Sequence, residues 1–211
     1  MVGFDLDMTL VDSRPGIAAV WDEVAARTGV AIDSELVVSR LGPPLATEAA
    51  EWFPPERVPE VVALYRKLYP EIGIEPTTLL PGAAEAFEAV RRRGGTILVV
   101  TSKHGPLAQL HVAHLGLRPD VLVGDVFAEE KGAVLREHGA AIYVGDHLGD
   151  IRAARAGGTT SVAVATGPIP ADQLREAGAD VVLTDLTEFP EWLTEWMWRV
   201  GRCRAGTASS R

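Results

Sequence analysis

The stretch Gly3-Phe4-Asp5-Leu6-Asp7-Met8-Thr9-Leu10-Val11-Asp12 places two carboxylates two residues apart at the end of the first apolar run of the chain. In an extended strand, residues i and i+2 point to the same side, so Asp5 and Asp7 would lie side by side. Two like charges brought together away from water cost free energy unless a cation or a shared proton compensates them. The pair therefore predicts a functional site, although a strand ending in an acidic turn would look the same.

Two later apolar runs also end in polar residues. Residues 97–100 precede Thr101-Ser102-Lys103, and residues 141–144 precede Gly145-Asp146-His147-Leu148-Gly149-Asp150. Lys131 stands near the start of a helix-like stretch between these two runs. Open parallel sheets bind their ligands at the carboxyl ends of their strands. The order of these segments therefore favours one site assembled from several strand ends.

Taken together, these residues resemble the motifs of the haloacid dehalogenase superfamily of aspartate-nucleophile phosphohydrolases. Asp5-Leu6-Asp7-Met8-Thr9 resembles the first motif, Thr101 the second, Lys131 the third and Asp146-x-x-x-Asp150 the fourth. The similarity extends over most of the chain, and its first and fourth motifs together are highly specific. It implies an α/β fold, namely a Rossmann-like, doubly wound parallel sheet with an inserted all-helical cap.

The bulk composition indicates a globular chain. Its 211 residues can bury a sizeable core, and 47% of them are hydrophobic. The net charge of −9 argues against a nucleic-acid backbone as partner, because surfaces that follow phosphates are basic. A single cysteine, Cys203, excludes an internal disulfide. We find no targeting segment and no membrane-spanning run, so we expect a cytoplasmic protein that does not bind membranes.

The hydrophobic pattern changes along the chain and predicts two structural regions. Residues 14–80 have helical periodicity and are expected to form the all-helical cap. Residues 1–13 and 81–200 alternate between strand and helix patterns, as in a doubly wound parallel sheet, and are expected to form the core. Residues 201–211 are small, polar and basic, so we expect a disordered tail there.

The resemblance assigns catalytic roles to the carboxylates. It implies that Asp5 is the nucleophile and that Asp7 is the general acid and base. The dehalogenase branch lacks a carboxylate at the position of Asp7, so its presence favours phosphoryl transfer. Asp5, Asp146 and Asp150, with the backbone carbonyl of Asp7, are the expected ligands of Mg²⁺, which prefers oxygen donors.

The remaining expected site residues contact the phosphoryl group or the substrate. Thr101 would donate its hydroxyl to a phosphoryl oxygen, and Lys131 would neutralise charge there and brace Asp5. Lys131 is followed by glycine and lies close to the fourth motif, unlike many relatives, which leaves Lys103 as a rival for this role. Substrate binding is assigned to four residues, two of them arginines of the cap that can hold an anionic group: Thr9, Ser102, Arg40 and Arg66.

These inferences favour a magnesium-dependent phosphatase that acts on a small phosphorylated metabolite, most similar to the phosphoglycolate-phosphatase group, as a monomer or a homodimer. A β-phosphoglucomutase-like isomerase would share the same residues and would need a bisphosphorylated sugar as activator. A non-catalytic phosphate-binding regulatory protein is an alternative of another class. A receiver domain orders its acids differently and lacks the cap, and a dehalogenase is the most remote alternative.

Overall fold

The computed structural model describes residues 1–208, with side chains described up to Val200. The strands are β1 (Val2–Phe4), β2 (Val11–Asp12), β3 (Thr78–Leu79), β4 (Ile97–Val100), β5 (Val121–Val123), β6 (Ile142–Gly145), β7 (Thr160–Val164) and β8 (Val181–Leu183). The helices are α1 (Arg14–Thr28), α2 (Ser34–Val38), α3 (Leu45–Ala50), α4 (Val58–Ile72), α5 (Ala83–Arg92), α6 (Gly105–His114), α7 (Glu129–Glu137), α8 (Leu148–Gly157), α9 (Ala171–Glu176) and α10 (Phe189–Ala208).

Six strands form one parallel sheet in the order β5-β4-β1-β6-β7-β8. Strand β1 lies between β4 and β6, and Phe4 pairs with Val99 on one side and with Val144 on the other. The order of the strands reverses at β1, which is the position where open α/β sheets form their ligand-binding crevice. This topology confirms the expected Rossmann-like α/β fold.

The sheet is covered on both faces because its strands alternate their side chains between two hydrophobic clusters. Phe4 and Val99 belong to the cluster that packs against Phe87 of α5 and Phe189 of α10. Val100 and its neighbours Leu98 and Tyr143 face the opposite cluster, with Leu135 of α7 and Ala153 of α8. Apolar runs buried on both faces are typical of parallel sheets.

Helices α1 to α4 lie together and form a hydrophobic cluster of their own. Trp21 of α1 stacks against Tyr65 of α4, with ring centroids 5.1 Å apart, and Leu107 of α6 joins the same cluster from the core. Helix α1 ends at Gly29, whose φ of 69° is the left-handed conformation that glycine adopts readily at a helix C-terminus.

A short antiparallel pair connects these helices to the sheet. Strand β2 leads into α1 and β3 leads back toward α5, and Val11 pairs with Leu79 and Asp12 with Thr78. We expected neither strand, because two residues are too few to produce a detectable pattern of alternation. We also did not expect α9, the six-residue helix Ala171–Glu176.

The last helix extends further toward the C-terminus than we expected. We expected it to stop near Val200, but α10 continues to Ala208 and includes residues 201–208 of the expected disordered tail. Alanine and arginine, which are frequent in this segment, favour helix formation despite two glycines. Residues 209–211 of that tail lie outside the described residues.

Candidate active site

Three neighbouring strands of the sheet bring the expected motifs together at their carboxyl ends. Asp5 follows β1, Thr101 follows β4 and Asp146 follows β6. The backbone amide of Asp5 donates to the carbonyl of Val144 at 2.8 Å, so pairing between the strands continues up to the site. All three side chains are buried. The pairing of β1 with β4 and β6 therefore brings side chains from distant parts of the chain to one edge of the sheet.

Asp5, Asp146 and Asp150 form a buried cluster of carboxylates. Each offers one oxygen, and these three oxygens lie within 4.8 Å of one another. Asp150 lies in the first turn of α8, where its Oδ2 accepts a hydrogen bond from the amide of His147 at 3.1 Å. Its Oδ1 accepts from the hydroxyl of Tyr143 at 3.2 Å. The helix N-terminus and Tyr143 thus orient one of the three acids.

Asp5 and Asp146 of this cluster have raised pKa values. Burial, together with the charge of Asp150, raises the pKa of Asp5 to about 7, while Lys131 acts in the opposite direction. Burial and the neighbouring carboxylates of Asp150 and Asp5 raise the pKa of Asp146 well above its ordinary value. Oδ1 of Asp5 is buried, and Nζ of Lys131 lies 3.1 Å from it. A hard divalent cation such as Mg²⁺, which prefers carboxylate oxygens, fits this donor set.

Lys131 reaches the carboxylate cluster from α7. Its Nζ lies 3.1 Å from Oδ1 of Asp5 and donates to Oδ1 of Asp150 at 2.8 Å. Burial lowers the pKa of Lys131, but the two carboxylates outweigh it and raise the pKa above its ordinary value. Of the two rival lysines, the structure therefore brings Lys131 to Asp5, despite its short separation from the fourth motif.

Lys103 instead contacts Asp7. Its Nζ lies 2.8 Å from Oδ1 of Asp7, and the hydroxyl of Ser13 donates to the same oxygen at 2.5 Å. Burial raises the pKa of Asp7, but Lys103 and His111, with the two hydrogen bonds, lower it below its ordinary value. The Asp7 carboxylate is therefore ionised at neutral pH.

A chain of hydrogen bonds continues from Lys103 into the helical region. Nζ of Lys103 donates to the hydroxyl of Tyr69 at 3.1 Å, and Nε2 of His111 lies 3.1 Å from the same hydroxyl. Burial and the charge of Lys103 lower the pKa of His111 to about 3, so this histidine is neutral. Tyr69 of α4 thus connects the cap helices to the loop that follows β4.

Thr9, Thr101 and Ser102 are all close to the cluster but have different partners. The hydroxyl of Thr9 donates to Oδ1 of Asp146 at 2.8 Å, so Thr9 contacts an acid of the cluster. The hydroxyl of Thr101 accepts from the amide of Lys103 at 3.1 Å, which leaves its own proton available. The hydroxyl of Ser102 donates to the carbonyl of Gly42 at 3.2 Å and so joins the core to the cap.

Both expected arginines line a cavity of about 250 Å³ between the cap helices and the carboxyl end of the sheet. Arg40 is held by Glu48 through two contacts of 3.0 and 2.7 Å. Arg66 lies 3.3 Å from Asp125, in the loop after β5. Asp5 lines the same cavity. Both arginines therefore lie on the wall of this cavity, and each of them has an acidic partner.

Sequence reasoning missed several residues that shape the site. A Cβ on Gly167 would lie only 1.8 Å from Oδ2 of Asp146, so glycine is required for that carboxylate to hold its position. The hydroxyl of Thr166 donates to the backbone carbonyl of Met8 at 2.5 Å and joins the loop after β7 to the first motif. Ser13, described above, was also missed. None of these residues stands in a recognisable motif, although Gly167 follows a buried strand.

Comparison with known proteins agrees with this geometry. The family model of haloacid dehalogenase-like hydrolases matches residues 2–155, and the chain belongs to that family. A phosphoglycolate phosphatase from Chromobacterium violaceum is 28% identical over 209 residues, which cover 89% of this chain and 93% of the relative. A tyrosine-protein kinase from Mycobacterium bovis is 27% identical over 196 residues, 86% of this chain and 67% of that protein.

Solved structures show the same fold. A haloacid dehalogenase-like hydrolase from Streptococcus pneumoniae superposes with a TM-score of 0.80 at 25% sequence identity, covering 91% of this chain and 97% of that one. Among the described residues, the structure contains no helix that is both long and apolar enough to cross a membrane.

Proposed function

We propose that this protein is a magnesium-dependent phosphatase that hydrolyses a small phosphorylated metabolite through an aspartyl-phosphate. The observation that carries the proposal is the position of Asp5. Its carboxylate lies at the topological switch of the sheet, and its buried Oδ1 is 3.1 Å from Nζ of Lys131. Membership of the hydrolase family and relatives named phosphatases support the same chemistry.

The carboxylates account for the two steps of such a reaction. A carboxylate oxygen of Asp5 forms a bond to phosphorus while the bond from phosphorus to the ester oxygen breaks. Asp7, which is ionised in the free protein, takes up the proton of the monoanionic ester and gives that proton to the departing alkoxide. Water then attacks the same phosphorus and returns a proton to Asp7. The bond between phosphorus and Asp5 breaks, inorganic phosphate leaves, and Asp7 releases its proton, which restores both carboxylates.

Charge neutralisation comes from cationic and hydroxyl groups around Asp5. Phosphoryl transfer depends mainly on positioning and electrostatic stabilisation. Lys131 supplies a buried positive charge, and Thr101 has a hydroxyl proton that can be donated to a phosphoryl oxygen. Asp5, Asp146 and Asp150, together with the backbone carbonyl of Asp7, would hold Mg²⁺. When bound, that ion supplies positive charge next to the phosphoryl oxygens.

The helical region is proposed to select the substrate. We assign residues 14–80 to the cap and residues 1–13 and 81–200 to the core, because the cavity beside Asp5 is lined from both sides. Arg40 and Arg66 of the cap and Ser102 of the core border the space that the leaving group would occupy. No membrane or nucleic-acid partner is needed for this activity.

Phosphate release from p-nitrophenyl phosphate and a panel of small metabolite esters tests the proposal. We expect turnover with Mg²⁺, loss of turnover with EDTA, and loss in Asp5→Asn. Asp172→Asn, at an exposed position of α9, is the matched control and should retain wild-type activity. Absence of release from every ester by a folded protein that binds Mg²⁺ would overturn the proposal. Activity seen only with a bisphosphorylated sugar would point to the mutase alternative.

A further inference from the structure

The cavity beside Asp5 is lined by apolar side chains as well as by its polar groups. Trp21 and Val37 line it from the cap, and Leu107 and Phe127 line it from the core. We propose that the preferred substrates are phosphate monoesters of small, uncharged, largely apolar alcohols, an inference that rests on the proposed function. Esters whose leaving group carries a carboxylate, such as phosphoglycolate, are then poor substrates. The inference depends on how the cations of the cavity are paired.

Arg40 is neutralised by an acidic residue of its own helical region. Its Nε and one terminal nitrogen contact the two oxygens of Glu48 at 3.0 and 2.7 Å. The indole nitrogen of Trp52 donates to the same carboxylate at 2.8 Å and holds it in place. A two-point contact of this kind occupies the face of the guanidinium that would otherwise bind a carboxylate of the substrate.

Arg66 forms one ion pair across the boundary between cap and core, while its buried Nε has no hydrogen-bond partner among the described residues. A terminal nitrogen lies 3.3 Å from Oδ1 of Asp125. Asp125 is fixed from the core side by the amide of Gly105, at 2.9 Å, and lies 3.1 Å from Nδ1 of His104. An anionic leaving group near Arg66 would therefore also meet the charge of Asp125, which repels it.

Lys103 is the remaining cation on the cavity wall. Its Nζ is bound to Asp7 at 2.8 Å and to the hydroxyl of Tyr69 at 3.1 Å. Among the described residues that line the cavity, every lysine and arginine thus has a carboxylate partner. An anion transferred from water into apolar surroundings needs a cation that is not already paired, whereas Arg40, Arg66 and Lys103 are each paired with a carboxylate. An uncharged, apolar leaving group needs no such partner and gains from leaving water.

The size of the cavity limits the leaving group further. A volume of about 250 Å³ lies just below the range of roughly 300–1,000 Å³ that is usual for pockets of drug-sized ligands. The phosphoryl group occupies part of this space. The remaining volume suits a small ring or a short alkyl chain better than a nucleoside.

Relative specificity constants for three esters test the inference. Benzyl phosphate, ethyl phosphate and 2-phosphoglycolate are all esters of primary alcohols, so the comparison varies the charge and apolar surface of the leaving group. We expect kcat/KM for benzyl phosphate to exceed that for 2-phosphoglycolate by at least about tenfold, which corresponds to about 1.4 kcal/mol. Ethyl phosphate should lie between them.

Two variants test the pairing directly. Glu48→Gln removes the partner of Arg40, and Asp125→Asn removes that of Arg66; asparagine suits the positive φ of 59° at this position. Each variant should lower the ratio of kcat/KM for benzyl phosphate to kcat/KM for 2-phosphoglycolate by about fivefold or more. Glu35→Gln, at an exposed cap position away from the cavity, should leave the ratio unchanged.

Outcomes that contradict the inference differ from those that contradict the proposed function. Hydrolysis of 2-phosphoglycolate as fast as benzyl phosphate, or folded pairing variants with an unchanged ratio, would overturn the inference alone. Absence of hydrolysis of all three esters by protein that hydrolyses p-nitrophenyl phosphate would also overturn the inference alone. Absence of hydrolysis of every ester, p-nitrophenyl phosphate included, would overturn the proposed function and the inference with it.

Discussion

The Nζ atom of Lys103 lies 2.8 Å from Oδ1 of Asp7, and this ion pair is largely buried beneath helix α4. Tyr69 of that helix contacts the same Nζ, so the expected general acid is held by a group that also contacts the cap. A movement of α4 relative to the sheet would therefore change the surroundings of Asp7. The lysine that sequence reasoning considered for Asp5 is thus a positioning residue for Asp7.

Replacement of Lys103 by methionine should destabilise the protein. It leaves the carboxylate of Asp7 partly buried without its cation, and removal of one partner of a buried ion pair typically costs about 3 kcal/mol or more. Urea unfolding at neutral pH measures the change in free energy of unfolding. Lys67→Met, at an exposed position of α4, is the matched control and should have little effect. An equally small effect of Lys103→Met would show that the ion pair does not stabilise the fold.

Replacement of Asp146 by asparagine should stabilise the metal-free protein and weaken its response to Mg²⁺. Burial and two neighbouring carboxylates raise the pKa of Asp146, so its ionisation near neutral pH costs free energy in the folded state. Asparagine removes that charge and can still accept the hydrogen bond from Thr9. We expect the Tm without metal to rise and the increase in Tm on adding Mg²⁺ to be lost.

Thermal unfolding with EDTA and with Mg²⁺ measures both effects of this substitution. Asp172→Asn is again the control and should keep the wild-type response to Mg²⁺. A metal-dependent increase in Tm that persists undiminished in Asp146→Asn would remove Asp146 from the set of metal ligands.

His111 should make stability depend on pH in the mildly acidic range. Its pKa falls from an ordinary 6.5 to about 3 in the folded protein, so below pH 6.5 the unfolded chain binds a proton that the folded chain does not. Stability is therefore lost as the pH falls from about 6.5 toward about 3. Between pH 7 and pH 5 the loss due to this group is about 2 kcal/mol.

Comparison with His111→Gln isolates this contribution, because glutamine can contact Tyr69 but does not titrate. Urea unfolding at pH 7 and pH 5 should show a smaller decrease in stability for the variant than for the wild type. His114→Gln, at an exposed position of the same helix, should retain the wild-type pH dependence. Equal pH dependence in His111→Gln and the wild type would contradict the burial of a neutral histidine.

Replacement of Gly167 by alanine should impair the site. The added Cβ would stand 1.8 Å from Oδ2 of Asp146, so that carboxylate must move away from Asp5 and Asp150. We expect kcat to fall at least about tenfold, in keeping with the sensitivity of catalysis to small misplacements. Gly105→Ala, whose Cβ would meet its nearest neighbour at 3.7 Å, is the control. Steady-state kinetics in Mg²⁺ measure kcat for both variants. A wild-type kcat in Gly167→Ala would contradict the packing argument.

The sheet and the acids on it could be predicted because they rest on local patterns. The apolar runs before Asp5, Thr101 and Asp146 are continuous, and the rules of parallel sheets bring their ends together. The strands β2 and β3 could not be predicted, since each has only two residues and forms by pairing of distant segments.

The partners of the site residues could not be predicted for a similar reason. Arg66 and Asp125 are separated by 59 positions, and Lys103 and Asp7 by 96. Such contacts depend on how the cap packs on the core, which no local pattern records. The arginines were recognised as candidates for binding an anion, whereas their neutralisation by Glu48 and Asp125 became visible only in the folded chain.

The central claim is that Asp5 carries the phosphoryl group during turnover, and acid quenching with mass spectrometry tests it most directly. Wild-type protein mixed with Mg²⁺ and an ester that it hydrolyses should yield a phosphoryl adduct on Asp5, and Asp5→Asn should show neither adduct nor turnover. Turnover by Asp5→Asn at close to the wild-type rate, or an adduct on another residue, would contradict the claim.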